Sequence, residues 1–284
     1  MTTVQKTFKL GGDLEVNRLG FGAMRIVGEG VWGEHADPEN CRRVLRRAVE
    51  LGVNFIDTAD AYGPDVSERL IGEALAPYAA GVVIATKGGL TRQGPNKWLP
   101  VGRPEYLIQQ VEMSLRLLKT ERLDLWQLHR IDPKTPVEES LKAIQGLQQQ
   151  GKIRHIGLSE VKVPDIEKAR KVVKSVSVQN QYNLGDRQHE DVLEYCTREG
   201  IAFIPWYPVA AGKLAQPGGK LDETARRHGV TVSQLSLAWL LHRSPVLLPI
   251  PGTSSISHLE QNIKAQDLSL TEAEWAEIEA TAKP

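Results

Sequence analysis

From residue 18 onward, short runs rich in apolar and β-branched residues alternate with longer stretches whose apolar positions recur every third or fourth residue. The short runs read as strands and the longer ones as amphipathic helices, a pattern that predicts βα units around a parallel sheet. Candidate strands are RLGFGAM from Arg18, NFIDTAD from Asn54, VVIATKGG from Val82, LDLWQLH from Leu123, IRHIGLSE from Ile153, SVQNQYN from Ser177, AFIPWYP from Ala202 and VLLPIPG from Val246, eight in all. Between them, Ile108, Val111, Leu115 and Leu118, and likewise Val137, Leu141, Ile144 and Leu147, fall on single helical faces able to cover a barrel.

Eight strands with helices between them predict an α/β fold, a (β/α)8 barrel, with residues 1–284 forming one domain. Two segments lie outside the eightfold pattern. TFKLGGDLEV reads as an N-terminal β-hairpin turning at Gly11 and Gly12 and plugging the barrel bottom, and SISHLEQNIKA begins extra C-terminal helix after the last strand. Within that segment Ser257 and Glu260 have capping-box spacing. GEGVWGEH, carrying Trp32, reads as a flexible loop at the barrel mouth, and the long Gly/Pro-containing loop from Gly88 to Gly102 offers Trp98 to a substrate pocket.

Charge narrows the partners. Lys plus Arg (35) equals Asp plus Glu (35), which removes the electrostatic case for nucleic acid or an anionic membrane and favours a small-molecule partner. The two cysteines, Cys41 and Cys196, sit far apart in helical patterns and read as buried thiols rather than a disulfide. The N-terminus lacks the apolar core of a signal peptide, and the richest apolar run, LSLAWLL, stops at His242 and Arg243. A cytoplasmic monomer is expected, and no H-E-x-x-H or comparable metal spacing occurs.

GEGVWG matches G-x-G-x-x-G at Gly28, Gly30 and Gly33, but a dinucleotide loop follows its strand directly and opens a helix. Here the strand ends near Met24 and the helix signal, Asp37 before Pro38, comes only after Gly33, so the Rossmann reading is set aside.

More informative are the polar strand ends: Asp57 and Tyr62 after the second strand, Lys87 on the third and His129 closing the fourth. Each alone has an ordinary structural explanation, but four such groups on three consecutive strands converge at one barrel mouth. An ammonium at Lys87 favours the phenolate of Tyr62, Asp57 keeps Lys87 charged and oriented, and a neutral His129 can hydrogen-bond a carbonyl oxygen as negative charge develops. Such a set is equipped to protonate an alkoxide.

These residues, with the motifs GVNFIDTADAYG, ATKGG, LDLWQLHR, HIGLSE, VQNQYN and LPIPGTSS in order, resemble the aldo/keto reductase superfamily from about Val16 to Ile278. The resemblance implies hydride transfer between NADPH/NADP+ and an aldehyde or ketone, with Asp57, Tyr62, Lys87 and His129 catalytic and Tyr62 as general acid in reduction. It further implies that Ser159, Glu160 and Gln179 meet the nicotinamide carboxamide, that Trp206 stacks on the ring, and that Gly212, Lys213 and Leu214 run beside the pyrophosphate. Gly252, Thr253, Ser254, Ser255, His258, Gln261 and Asn262 then surround the adenosine phosphate, and Trp32, Trp98 and Arg130 belong to the substrate pocket.

Three features depart from that pattern or add to it. Ser159-Glu160 replaces the usual Ser-Asn, no Arg or Lys occurs from Pro249 to Ile263, and Arg130 follows His129. Glu160 is expected either to accept a hydrogen bond from the carboxamide NH2 in place of asparagine's donation, the favoured reading, or to turn away and leave the cofactor to Ser159 and Gln179; the missing cation is expected to narrow the preference for NADPH over NADH. Within the superfamily the chain is most similar to bacterial oxidoreductases that include pyridoxal reductases, making pyridoxal a candidate substrate. The alternatives are a cofactor-binding regulatory subunit of the same fold and a barrel lyase or isomerase using Lys87 as a Schiff base.

Overall fold

The computed structural model describes residues 5–209 and 220–281. Strands β1 (Thr7–Leu10) and β2 (Leu14–Asn17) form an antiparallel hairpin in which Leu10 faces Leu14. Its turn uses Gly11 and Gly12 at φ 67° and 95°, conformations that a side chain would strain. Strands β3 (Phe21–Gly22), β4 (Phe55–Asp57) and β5 (Val83–Gly88) follow, then a two-stranded hairpin of β6 (Leu90–Arg92) and β7 (Trp98–Pro100). The remaining strands are β8 (Leu123–Leu128), β9 (Ile153–Ser159), β10 (Ser175–Gln179) and β11 (Ala202–Phe203).

The sheet is parallel, seven strands wide, in the order β3-β4-β5-β8-β9-β10-β11. Residues 246–250, the predicted eighth strand, close the ring without a full ladder. Phe203 bridges Leu247 in parallel, the Leu248 N–H donates to the Phe203 carbonyl at 2.8 Å, and the Gly20 N–H donates to the Pro249 carbonyl at 2.9 Å. Pro249 and Pro251 lack the N–H a regular strand would use, so only isolated pairings form there.

Helices α1 (Pro38–Glu50), α2 (Val66–Leu75), α3 (Pro104–Leu118), α4 (Val137–Gln149), α5 (Val163–Ala169) and α6 (Glu190–Glu199) alternate with the strands. After β11 come α7 (Lys220–Arg227) and α8 (Val232–Arg243), and after the eighth strand α9 (Ile256–Lys264) and α10 (Glu272–Thr281). Asp37 caps α1, accepting from the Asn40 N–H at 2.9 Å with Pro38 in the first turn, the start that the sequence signalled. The face expected of α4 is buried at all four positions. In α3 the buried set is Leu107, Val111, Ser114 and Leu118, leaving Ile108 exposed, because the helix is rotated by about one residue from the expected stripe. For α9 the cap is Ser255, whose Oγ accepts from the His258 N–H, rather than Ser257 with Glu260.

Two apolar layers result. Between strands and helices lies the larger core, including Val44, Leu45, Ile71, Val111, Leu141, Ile166, Leu193 and Trp239. Inside the ring, Phe55, Val83, Ala85, Leu125, Val176, Ala202 and Leu248 pack with Leu10, Leu14 and Val16 of the hairpin, which plugs the N-terminal end. Each such large side chain stabilises the fold by roughly 1.5–3 kcal/mol when fully buried. Arg18 straps the ring shut: its buried guanidinium donates to the carbonyls of Leu247, Leu241, Ser244 and Gln5, and burial pulls its pKa down to about 10. Cys41 and Cys196 are free and buried. No helix among the described residues is long and apolar enough to cross a membrane.

Candidate active site

Strand parity sets the site. Phe55 and Asp57, Val83, Ala85 and Lys87, and Leu125, Gln127 and His129 share alternate positions, so each strand carries apolar groups low in the ring and a polar group at its C-terminal end. Lys87, with no exposed surface, donates from Nζ to Asp57 Oδ1 at 2.6 Å, to the Thr58 carbonyl at 2.8 Å and to Tyr62 Oη at 3.4 Å. Asp57 Oδ2 accepts from Gln127 Nε2 at 3.1 Å and from Gln179 Nε2 at 2.9 Å. The carboxylate is thus held on both oxygens, which a buried anion requires.

Electrostatics follow from this packing. Burial opposes the Lys87 charge, but Asp57 and Tyr62 outweigh it and its pKa is raised, so Lys87 is an ammonium. Burial also raises the Tyr62 phenol above its ordinary value, and Lys87 opposes that rise. Lys87 therefore restrains a phenol that burial makes a weaker acid, instead of drawing it down toward neutrality as the residues alone had suggested. Burial, then the Lys87, Arg130 and Arg92 charges, hold His129 well below the usual imidazole range and keep it neutral. Its Nδ1 is buried and has no partner among the described residues. The Tyr62, His129 and Trp98 rings meet edge to face, with centroids 6.0–6.5 Å apart.

These groups open into a cleft of about 510 Å³, lined also by Met24, Arg25, Leu90, Pro100 and Ile250. Ser159, Gln179, Trp206 and Gly252 reach the same cleft. Arg130 lies there with Nη1 on the His129 carbonyl at 2.6 Å and Ser159 Oγ at 3.2 Å. Trp98 forms part of the wall, but Trp32 is not among the lining residues: its ring lies 5.6 Å from the Arg92 guanidinium carbon.

Glu160 does not point at the cleft as expected. It sits at φ 53°, and its Oε1 accepts from the Trp206 indole N–H at 2.6 Å and the Gln181 N–H at 2.8 Å. Thr253 Oγ1 accepts from the Ser255 N–H, the Ser254 carbonyl binds Asn40 Nδ2, and His258, Gln261 and Asn262 lie along α9. Gly212, Lys213 and Leu214 lie outside the described residues.

Sequence reasoning missed Gln127, although its parity with Leu125 and His129 was available. It also missed Arg25, for which no local signal exists. A Cβ built on Gly252 would meet the Gly22 carbonyl oxygen at 2.5 Å and lie 3.5 Å from Arg25 Cγ, so the missing side chain lets the two main-chain segments approach closely beside this arginine. The Arg25 side chain makes no hydrogen bond or ion pair to another described residue and is exposed. Asp60, which follows β4, is buried near Glu68, and its two carboxyl oxygens have no hydrogen-bond partner among the described residues.

A parallel eightfold barrel with Asp57, Tyr62, Lys87 and His129 gathered at one mouth defines a class, and the comparisons agree: the chain belongs to the aldo/keto reductase family, whose sequence profile matches residues 18–283. It is 54% identical over 272 residues to an oxidoreductase of Schizosaccharomyces pombe, covering 96% of this chain and 89% of that one. It is 42% identical to pyridoxine 4-dehydrogenase of Escherichia coli, covering 94% of each. An aldo/keto reductase from Klebsiella pneumoniae, solved in complex with NADP and acetate, superposes with a TM-score of 0.84 at 29% identity, covering 99% of this chain and 97% of that one.

Proposed function

We propose that this chain is an NADP(H)-dependent carbonyl reductase in which Tyr62 is the general acid, acting as a single-domain cytoplasmic monomer. The observation that carries the reading is the buried ammonium of Lys87, 2.6 Å from Asp57 and 3.4 Å from the Tyr62 hydroxyl, beside a neutral His129. The cleft residues fit the dinucleotide. Ser159 keeps its hydroxyl hydrogen to donate, and Gln179, whose Nε2 is committed to Asp57, keeps Oε1 to accept, which suits the two ends of a carboxamide. Trp206 offers a flat ring oriented by Glu160. At the far end Arg25 and the N-terminal amides of α9 suit phosphate.

NADPH, when bound, supplies the hydride. His129 donates to the substrate carbonyl oxygen and favours the charge that develops on it. Tyr62 passes its phenol proton to that oxygen, and the Lys87 ammonium stabilises the phenolate left behind. Asp57, with its two amide donors, holds Lys87 in place for the next turnover. In the oxidative direction Tyr62 is the base. The Escherichia coli relative's name makes pyridoxal and pyridoxine the candidate pair for this chain. Loss of absorbance at about 340 nm from NADPH with pyridoxal and a panel of simple aldehydes tests the reading. No turnover with any of them would overturn it, and turnover that spared pyridoxal would remove only the substrate assignment.

A further inference from the structure

Trp98, the aromatic wall beside Tyr62 and His129, rests on an arginine that touches no carboxylate. Arg92 lies on β6 and is half-buried. An arginine has five N–H donors, and here each finds a backbone carbonyl. Nη1 donates to Val31 at 2.6 Å and Ala61 at 2.7 Å, Nη2 to Gly30 at 3.0 Å and Gly94 at 3.3 Å, and Nε to Lys97 at 3.0 Å. The carbonyls come from the loops after β3 and β4 and from the tip of the β6–β7 hairpin. One planar group thus ties three barrel-mouth loops together. Its face lies 3.6 Å from the Trp98 ring centroid, the ring that stands edge-on to Tyr62 and His129.

The surrounding backbone shows that this arrangement is imposed. Val31, Gly30 and Asn96 all have positive φ, 53°, 66° and 55°. A β-branched residue in that region is a genuine outlier, and such strain persists only where neighbours over-determine it. The Val31 and Gly30 carbonyls both point to Arg92, and the Asn96 N–H donates to the Gly30 carbonyl at 2.9 Å. With all its donors taken by main chain, Arg92 has none left for a substrate anion.

We propose that Arg92 is a positioning residue: it fixes Trp98 as a rigid aromatic wall and so sets the preference of the cleft for flat, ring-bearing aldehydes. This rests on the reductase reading above. The test compares benzaldehyde with cyclohexanecarbaldehyde, which is similar in size but not flat, and with propanal, using NADPH and the variants Arg92→Met, Arg92→Lys, Trp98→Ala and Arg92→Met with Trp98→Ala.

An edge-to-face or stacked ring contact supports about a tenfold effect. Arg92→Met should raise KM for benzaldehyde about tenfold and leave kcat and KM for propanal within about threefold. Arg92→Lys should match Arg92→Met, since an ammonium cannot span carbonyls on three loops. Trp98→Ala should raise the benzaldehyde KM similarly, and the double variant should be no worse than Trp98→Ala alone. Acrylamide quenching of tryptophan fluorescence, read in a Trp32→Phe background because Trp32 also lies beside Arg92, should increase in Arg92→Met and not when Trp98→Ala is added.

Multiplying KM effects in the double variant, or equal losses with benzaldehyde, cyclohexanecarbaldehyde and propanal, would overturn the assignment. So would unchanged kinetics in Arg92→Met. If the wild type turned over no aldehyde the reductase reading would fall, and the quenching comparison would then decide alone whether Arg92 holds Trp98.

Discussion

Glu68, on α2 beneath the site, has no exposed surface, and burial lifts its carboxyl from the ordinary 4.5 to about 7. The Thr86 hydroxyl donates to it at 2.5 Å, and the Asp65 carboxylate adds like charge. Because the folded pKa exceeds the unfolded one, the native state holds this proton more tightly. Stability therefore falls as pH rises from about 4.5 to about 7, and the full cost of ionising the buried group persists above that window. At 1.36 kcal/mol per pKa unit the cost is on the order of 3 kcal/mol. Glu68→Gln keeps an acceptor for Thr86 and never ionises. Its stability relative to wild type should be near zero at about pH 4 and rise by on the order of 2–3 kcal/mol by about pH 8, with most of the change between about pH 5 and about pH 7. Urea unfolding followed by tryptophan fluorescence across that range, with equal m-values for the two proteins, measures the difference. A difference independent of pH would mean that Glu68 does not change protonation in this window and would refute the reasoning.

Tyr62→Phe should lower kcat by at least about a hundredfold while NADPH binds as in wild type; retained turnover would remove Tyr62 from the mechanism. Since the phenol is raised above its ordinary value and Lys87 opposes that rise, alcohol oxidation should climb with pH into the alkaline range, and Lys87→Met should move the climb higher still. An unshifted profile in that variant would uncouple the pair. Glu160→Ala should weaken NADPH binding by about 1 kcal/mol through loss of the Trp206 hydrogen bond, Glu160→Gln should be mild, and Trp206→Phe should make Glu160→Ala silent; additive losses would count against this link. Arg25→Ala should weaken 2′,5′-ADP and NADPH by roughly tenfold while sparing NADH, as loss of a charge-assisted phosphate contact requires. Equal weakening of NADH would place Arg25 on the pyrophosphate instead.

What could be read beforehand was what local periodicity encodes. Alternation along FID, VIATKG and LDLWQLH put Asp57, Lys87 and His129 on one side of their strands, and eight such runs implied closure. The eighth strand was legible as an apolar run, but its two prolines made its pairing depend on Gly20 and Phe203, which are distant in sequence. Arg25 and Arg92 were invisible for the same reason: their roles arise from loops that meet only once the ring is closed. Glu160 was placed by analogy with an asparagine, but at φ 53° its side chain takes its donors from the Trp206 indole and the Gln181 main-chain N–H, both of which are contributed by other strand ends. For Ser255 and Ser257, two residues with equal capping chemistry, the cap fell to Ser255, whose own N–H is held by Thr253 Oγ1.

The hairpin at the base of the ring has a further bearing on catalysis. Below Asp57 and Lys87 the interior is filled by Leu10, Leu14 and Val16 against Phe55, Val83 and Leu125, none of which can pass a proton. Sideways, besides Lys87, Asp57 meets among the described residues the amide hydrogens of Gln127 and Gln179, which are held as donors and not as acids. Among the described residues the catalytic groups open only toward the cleft at the barrel mouth. On the mechanism proposed above, each proton that Tyr62 gives up is replaced through the mouth by which substrate enters and alcohol leaves, so proton supply and product release share one gate and a bulky alcohol lingering there would delay both.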